Sequence, residues 1–149
     1  MSNGGPEKKQ DAHHFSASKT STMAYEDMAK KKVLVVDDSV GIRKAVRRLF
    51  ASHPNFEIVG EAEHGRKAVE IAPRLRPDLI ILDLSMPIMN GLEAAPLLLK
   101  ILPAVWLIMF TAHDLPDLER VSRVAGIHAI VQKSNAAAHL VAQAEALVA

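Results

Sequence analysis

Asp37-Asp38, Asp83, Thr111 and Lys133 each stand directly after a short apolar run, in that order along the chain. If the runs are strands of one parallel sheet, these five side chains meet at one edge. Three carboxylates so placed repel: two unit charges about 4 Å apart cost on the order of 4 kcal/mol at an effective dielectric near 20. Lys133 supplies one positive charge, which does not balance three negatives; a divalent cation would. Oxygen ligands without Cys or His favour a hard ion, and Mg2+ commonly keeps several waters beside one or two carboxylates and a phosphate. The set therefore suits the holding of Mg2+ and the receipt of a phosphoryl group, because a carboxylate can act as a nucleophile and form an acyl phosphate. The metal and Lys133 would neutralise charge on the transferring group. Thr111 would donate its hydroxyl to the arriving oxygens, and the small Ala112 would leave room for them. Singly, each of these residues suits a helix cap or a solvated strand end; it is their convergence that points to a site.

The elements that must position them are legible from periodicity. Short apolar or β-branched runs at 33–36, 56–60, 79–82, 104–110 and 127–132 read as strands. Between them lie helical patterns. The first, 39–51, carries Ile42, Val46, Leu49 and Phe50 at i, i+4, i+7 and i+8, with Ser39 as N-cap. Others span 65–75, stopped by Arg76-Pro77, then 90–102, and 115–125, closed by Gly126. The last is an alanine-rich helix over 135–148 after a Ser-Asn cap. Continuous apolar strands are buried on both faces. Strict β-then-α alternation implies a parallel sheet with helices on both sides, and a functional crevice beyond the C-terminal strand ends. Pro73, near a helix end, should cost little, whereas Pro96, near a second turn, is expected to kink its helix.

Composition bounds the rest. The chain has 149 residues, Lys+Arg 18 against Asp+Glu 17, and no cysteine. That excludes a disulfide framework, thiolate zinc, iron–sulfur clusters and a cysteine nucleophile. A near-zero net charge argues against bulk attraction to nucleic acid or acidic membrane, and six aromatic residues offer no base-stacking platform. No apolar stretch approaches the roughly 18–20 residues a membrane span needs, and the N-terminus lacks a hydrophobic signal core, so the expectation is a soluble cytoplasmic protein. Residues 1–32 are polar and read as a disordered N-terminal tail of net charge +2, ahead of a domain over 33–149 of net charge −1. In the tail, Met23 or Met28 would serve as alternative starts, and His13-His14 lack the third ligand of a metal site.

Three stretches, Val33-Leu-Val-Val-Asp-Asp-Ser, Asp78-Leu-Ile-Ile-Leu-Asp-Leu-Ser-Met-Pro-Ile-Met-Asn-Gly-Leu-Glu and Thr111-Ala-His-Asp, give the sequence over about 32–149 a resemblance. It resembles the receiver domain of bacterial two-component response regulators. The resemblance implies an α/β, flavodoxin-like (βα)5 three-layer sandwich with a central five-stranded parallel sheet. It implies a sensor histidine kinase or phosphotransfer protein as phosphoryl donor and a downstream output protein as reader. By position, Asp83 would be the phosphoacceptor, Asp38 a direct Mg2+ ligand and Asp37 a ligand mainly through water. Ser85 would offer its backbone carbonyl to the metal, Thr111 would be the switch hydroxyl and Lys133 the phosphate partner. The expected protein is a single-domain response regulator, a signal module rather than an enzyme, with no direct DNA binding and no membrane. Phosphorylation adds about −1.5 to −2 charge and strong acceptor oxygens. Drawing Lys133 and Thr111 toward it would bias the face formed by helix four, strand five and helix five between two states. A homodimer through that face is a further expectation.

The pattern departs from the family in two places. The usual Tyr or Phe three residues before the lysine is Ile130, and Tyr25 lies in the tail, so altered coupling of the switch is expected. The usual proline after the lysine is Ser134; a cis bond without proline costs about 3–4 kcal/mol, so a trans Lys133–Ser134 bond is expected. Lys-Ser, with Leu-Glu-Ala-Ala after Gly91, is closer to receivers that precede helix-turn-helix output domains, yet the sequence stops at Ala149, as in a stand-alone receiver or a fragment. Arg43, Lys44, Arg47 and Arg48 form a basic patch, read as a solvated face or a kinase-docking surface. By resemblance, His113 and Ser85 flank the site and would tune phosphoryl lifetime; as plain loop residues they would do nothing. His53, His64, His128 and His139 share no spacing, and the glycines form no phosphate-binding loop. Two other classes compete: a pseudo-receiver serving as a constitutive interaction module, favoured by Ile130 alone, and an aspartate phosphohydrolase. The second is disfavoured because Ser85 stands where those enzymes carry an acid–base Asp.

Overall fold

The computed structural model describes residues 30–149. The expectations for His13-His14, Met23, Met28 and Tyr25 lie outside the described residues. The sequence folds as β1 (Lys31–Val36), α1 (Val40–Ala51), β2 (Phe56–Ala62), α2 (Gly65–Leu75), β3 (Leu79–Leu82), α3 (Gly91–Ile101), β4 (Trp106–Thr111), α4 (Leu118–Val124), β5 (Ala129–Gln132), a 3-10 turn (Lys133–Asn135) and α5 (Ala136–Val148). The strands form one sheet in the order β2-β1-β3-β4-β5, every pair parallel.

Alternate residues of each strand feed two cores, which is why the strand runs are apolar throughout. On one face Leu34, Val36, Ile80, Leu82, Leu107 and Met109 pack against α2, α3 and α4 through Ala68, Ala72, Ala94, Ala95, Leu98 and Leu118. On the other, Val33, Val35, Leu79, Ile81, Ile108, Phe110 and Val131 meet α1 and α5 through Val46, Phe50, Leu140, Val141 and Ala144. The result is the three-layer, flavodoxin-like sandwich. Small residues on α2 and α3 let those helices sit close to the sheet, and Phe50 meets Phe56 edge-on with ring centroids 5.0 Å apart.

Local chemistry fixes the helix starts. Ser39 Oγ accepts from the Ile42 amide at 3.2 Å, as its N-cap position predicts. At α3, Asn90 and Glu93 form a reciprocal capping box, with bonds of 2.8 and 3.0 Å. The α2 cap is His64, whose Nδ1 accepts from the Lys67 amide at 3.1 Å; spacing alone does not mark a histidine for that role.

Several boundaries differ from the periodicity reading. β1 opens at Lys31, inside the stretch read as tail, because Lys31 N–H bonds the Asn55 carbonyl and Lys32 N–H bonds Asp78 Oδ2. β2 runs on to Ala62 beside β1. α4 begins only at Leu118, since Pro116 and an Asp117 at φ 63 hold the preceding chain out of the helix. The Ser-Asn cap of α5 is replaced by the 3-10 turn, and Asn135 makes no side-chain capping bond. α3 continues through Pro96 to Ile101, and Pro96 sits on the exposed side, where water can take the bond its missing N–H leaves open. The Lys133–Ser134 bond is trans, as expected. At the opposite rim of the sheet, Trp106 opens β4 with its ring 4.7 Å, centroid to centroid, from His128. His128 Nδ1 accepts from the Leu107 amide at 3.0 Å, so the imidazole extends the ladder ahead of the first residue of β5.

Among the described residues no helix is long and apolar enough to cross a membrane. Gly41, exposed in the first turn of α1, offers a simple test of helix propensity. A Cβ there would meet only Ser39 Oγ, at 3.7 Å. Gly41→Ala should stabilise the fold by about 0.5 kcal/mol, read as a shift of the urea midpoint without a change in slope.

Candidate functional site

The strand register brings the predicted residues to one edge. Val36 pairs with Leu82, so Asp37 and Asp83 leave neighbouring strands side by side. Leu82 pairs with Met109, and Thr111 pairs with Gln132, which places Lys133 next to the end of β4. Between β1 and β3 the chain order reverses direction across the sheet, the point where open α/β sheets form their crevice.

In that crevice, carboxylate oxygens of Asp37, Asp38 and Asp83 lie within 4.8 Å of one another. Asp37 and Asp83 are buried, at 2% and 4% exposure, while Asp38 faces solvent. Lys133 Nζ sits 2.8 Å from Asp37 Oδ2 and 3.3 Å from Asp83 Oδ1. Its ammonium also lies 5.9 Å from the Phe110 ring centroid, an apolar floor. Burial, and next the Asp37 charge, raise the Asp83 pKa above its ordinary value, with Lys133 pulling the other way. Burial alone would lower the Lys133 pKa, but the hydrogen bond and charge of Asp37, together with Asp83, leave it raised. Lys133 is thus a firm cation held by two carboxylates.

Thr111 is fully buried inside β4, one residue earlier than a position past the strand. Its Oγ1 accepts from the His113 amide at 3.0 Å, and Gln132 Nε2 donates to the His113 carbonyl at 3.0 Å. The loop after β4 is therefore tied to both β4 and β5. Ser85 is exposed in the loop after Asp83. That loop closes on itself: Gly91 N–H bonds the Leu84 carbonyl at 2.9 Å, and Ile88, 70% exposed, holds a φ of 68. Ile130 is half-buried against the core shared with α4. Beside it an open groove runs between α4 and β5, lined by Leu118, Ile127, Ile130 and Gln132.

The donor set fits a hard divalent cation. It consists of oxygens alone, and the buried Asp37 Oδ2 meets the Lys133 ammonium at 2.8 Å with no further hydrogen-bond partner among the described residues. Other contributors escape a reading by strand ends. Asp37 Oδ1 accepts from the Ser39 amide at 2.9 Å, and the Asp37 carbonyl accepts from Arg43 Nη1 at 2.6 Å. Arg43 and Arg47 both hold Glu61, whose pKa is lowered chiefly by the hydrogen bond from Arg47. The basic patch is thus divided: Lys44 and Arg48 are solvated, while Arg43 is turned inward.

A parallel α/β sandwich with an acidic crevice at its switch point defines a class, and comparison with known proteins places the chain within it. The profile of the family described as "Response regulator receiver domain" matches residues 33–145, and the chain belongs to that family. The family serves two-component systems, and phosphorylation on aspartate and Mg2+ binding are general among its members. A protein-glutamate methylesterase/protein-glutamine glutaminase of Methanosarcina acetivorans is 45% identical over 80 residues, 54% of this chain and 23% of that protein. The transcriptional regulatory protein DegU of Brevibacillus brevis is 36% identical over 85 residues, 57% of this chain and 36% of that protein. The chain thus matches only a minor part of the length of these relatives. Among solved structures, the response regulator domain of Thermotoga maritima CheB superposes with a TM-score of 0.74 at 28% identity, covering 80% of this chain and 96% of that one. A LuxR-family response regulator from an Aurantimonas species gives 0.76 at 28% identity, covering 80% and 85%.

Proposed function

We propose that the chain is a cytoplasmic phosphoacceptor switch, in which Asp83 takes a phosphoryl group from a histidine kinase or phosphotransfer protein. The observation that carries this reading is the meeting of three carboxylates and Lys133 in one crevice. An Asp83 carboxylate oxygen forms the new bond to phosphorus as the bond to the donor's imidazole nitrogen breaks. Asp37, Asp38, Asp83 and the Ser85 carbonyl would hold Mg2+, which when bound neutralises charge on the phosphoryl oxygens. Lys133, already 3.3 Å from Asp83, would turn to the new oxygens. Thr111 would give up the His113 amide to donate its hydroxyl to them, releasing the loop that Gln132 tethers. An output protein or a second copy of the chain would read the α4–β5–α5 face. The methylesterase relatives are enzymes by name, but this chain matches them over a minor part of their length, and the activity assigned here is acceptance of a phosphoryl group, not ester hydrolysis.

Ile130 supports a second reading, a constitutive interaction module, because no aromatic side chain stands there to follow Thr111. Incubation with Mg2+ and acetyl phosphate, followed by intact mass measurement of native protein and Asp83→Asn, separates the readings. One stable phosphoryl adduct, lost in the variant, is expected. No adduct would favour the interaction module, and phosphate release without accumulation would favour a hydrolase.

A further inference from the structure

We propose that Arg43 is a positioning residue for the acidic crevice, holding the peptide between Asp37 and Asp38 and so the direction in which both carboxylates face. The inference rests on the Mg2+-dependent function proposed above. Asp37 is fixed from several sides. Its N–H bonds the Ala62 carbonyl at 3.0 Å, and its Oδ1 takes the Ser39 amide at 2.9 Å. The remaining backbone group, its carbonyl, is taken by Arg43 Nη1 at 2.6 Å. The same guanidinium donates Nε to Glu61 Oε1 at 2.9 Å, and Arg47 occupies the other oxygen of Glu61. The Arg43 side chain is only 13% exposed, unlike Arg47 at 47%. Glu61 on β2 therefore aims the fork, and the fork clamps the turn that follows β1.

A planar guanidinium can serve a carbonyl and a carboxylate at once; an ammonium is a point charge without that fork. Partners that orient a metal's ligands typically matter by roughly tenfold or more in metal affinity. Simple electrostatics predicts the opposite sign, because removing a cation close to three carboxylates favours the binding of another cation. The two effects can therefore be told apart by direction.

Titration calorimetry with MgCl2 on the full chain, paired with thermal melts, makes the test. Arg43→Ala and Arg43→Lys should each weaken Mg2+ binding by roughly tenfold. Arg48→Ala, on the solvated side of α1, should stay within about twofold of native. Tighter or unchanged binding in Arg43→Ala, or native affinity in Arg43→Lys, overturns the inference. If Arg43→Ala does not fold, Arg43→Lys, which keeps the charge and loses the fork, carries the test, with weaker binding expected. A native chain that takes up no Mg2+ overturns the proposed function itself; a native chain that binds it while Arg43→Lys matches it overturns the positioning role alone.

Discussion

In metal-free buffer at pH 7, Asp83→Asn should melt above the native protein, although it removes the centre of the site. Asp83 is 4% exposed, and burial followed by repulsion from Asp37 raises its pKa over the ordinary 3.8. A raised folded-state pKa means that the folded form favours the protonated carboxyl. The associated stability is full below the unfolded pKa and is lost as pH rises through the folded one. At pH 7 the ionised carboxylate therefore costs stability, and a neutral amide of the same shape does not. A gain of about 1 kcal/mol would raise the midpoint by roughly 4 °C in a domain of this size. The gap should close as pH falls toward the ordinary carboxyl range, and it should narrow when Mg2+ stabilises the native protein. Melts at two pH values, with and without Mg2+, check this. A less stable variant at pH 7 would show that the Lys133–Asp83 ion pair outweighs burial and repulsion. The same carboxylate that strains the fold is the one proposed to accept phosphate, so function and stability pull apart at one atom pair.

Gly91→Ala should do the reverse and unsettle both fold and site. A Cβ at Gly91 would stand 2.2 Å from the Asp83 carbonyl oxygen, 3.1 Å from its carbon and 3.3 Å from Leu84 Cα. These are backbone atoms of the strand end, not the tip of a flexible side chain, so relief requires α3 to withdraw from β3. Gly91 needs space, not an unusual φ; among the described glycines only Gly126 is left-handed. Overpacking of this kind costs typically 1–3 kcal/mol and occasionally more. A loss of about 3 kcal/mol is expected here, a fall of roughly 10 °C or more in midpoint. Because the displaced atoms belong to Asp83, phosphorylation by acetyl phosphate should also slow. A melt within a degree or two of native would show that α3 can slide at no cost.

Much of this architecture is legible in the sequence. Apolar runs mark strands buried on both faces, and a polar residue ending such a run marks where the strand leaves the core. That is how Asp37, Asp83, Thr111 and Lys133 announce a common edge. What periodicity does not carry is partnership across the sequence. Arg43 belongs to an amphipathic helix by spacing, and only the register of β2 against β1 brings Glu61 beside it. His64 and His128 look alike as isolated histidines, yet one caps α2 and the other completes a ladder. The role of Gly91 is equally hidden, since it comes from the approach of α3 to the end of β3. The late start of α4 turns on Asp117, whose left-handed backbone no hydrophobic pattern encodes.

Trp106, the chain's one tryptophan, opens β4, whereas Thr111 ends it, a separation of roughly 16 Å along the strand at about 3.3 Å per residue. Its ring leans on His128 at the rim opposite the acidic crevice. Native emission therefore watches the wrong end of the molecule. An optical readout of Asp83 calls for a second fluorophore near the loops above β3 and β4, and the indole already present then becomes a built-in reference channel for the same sample.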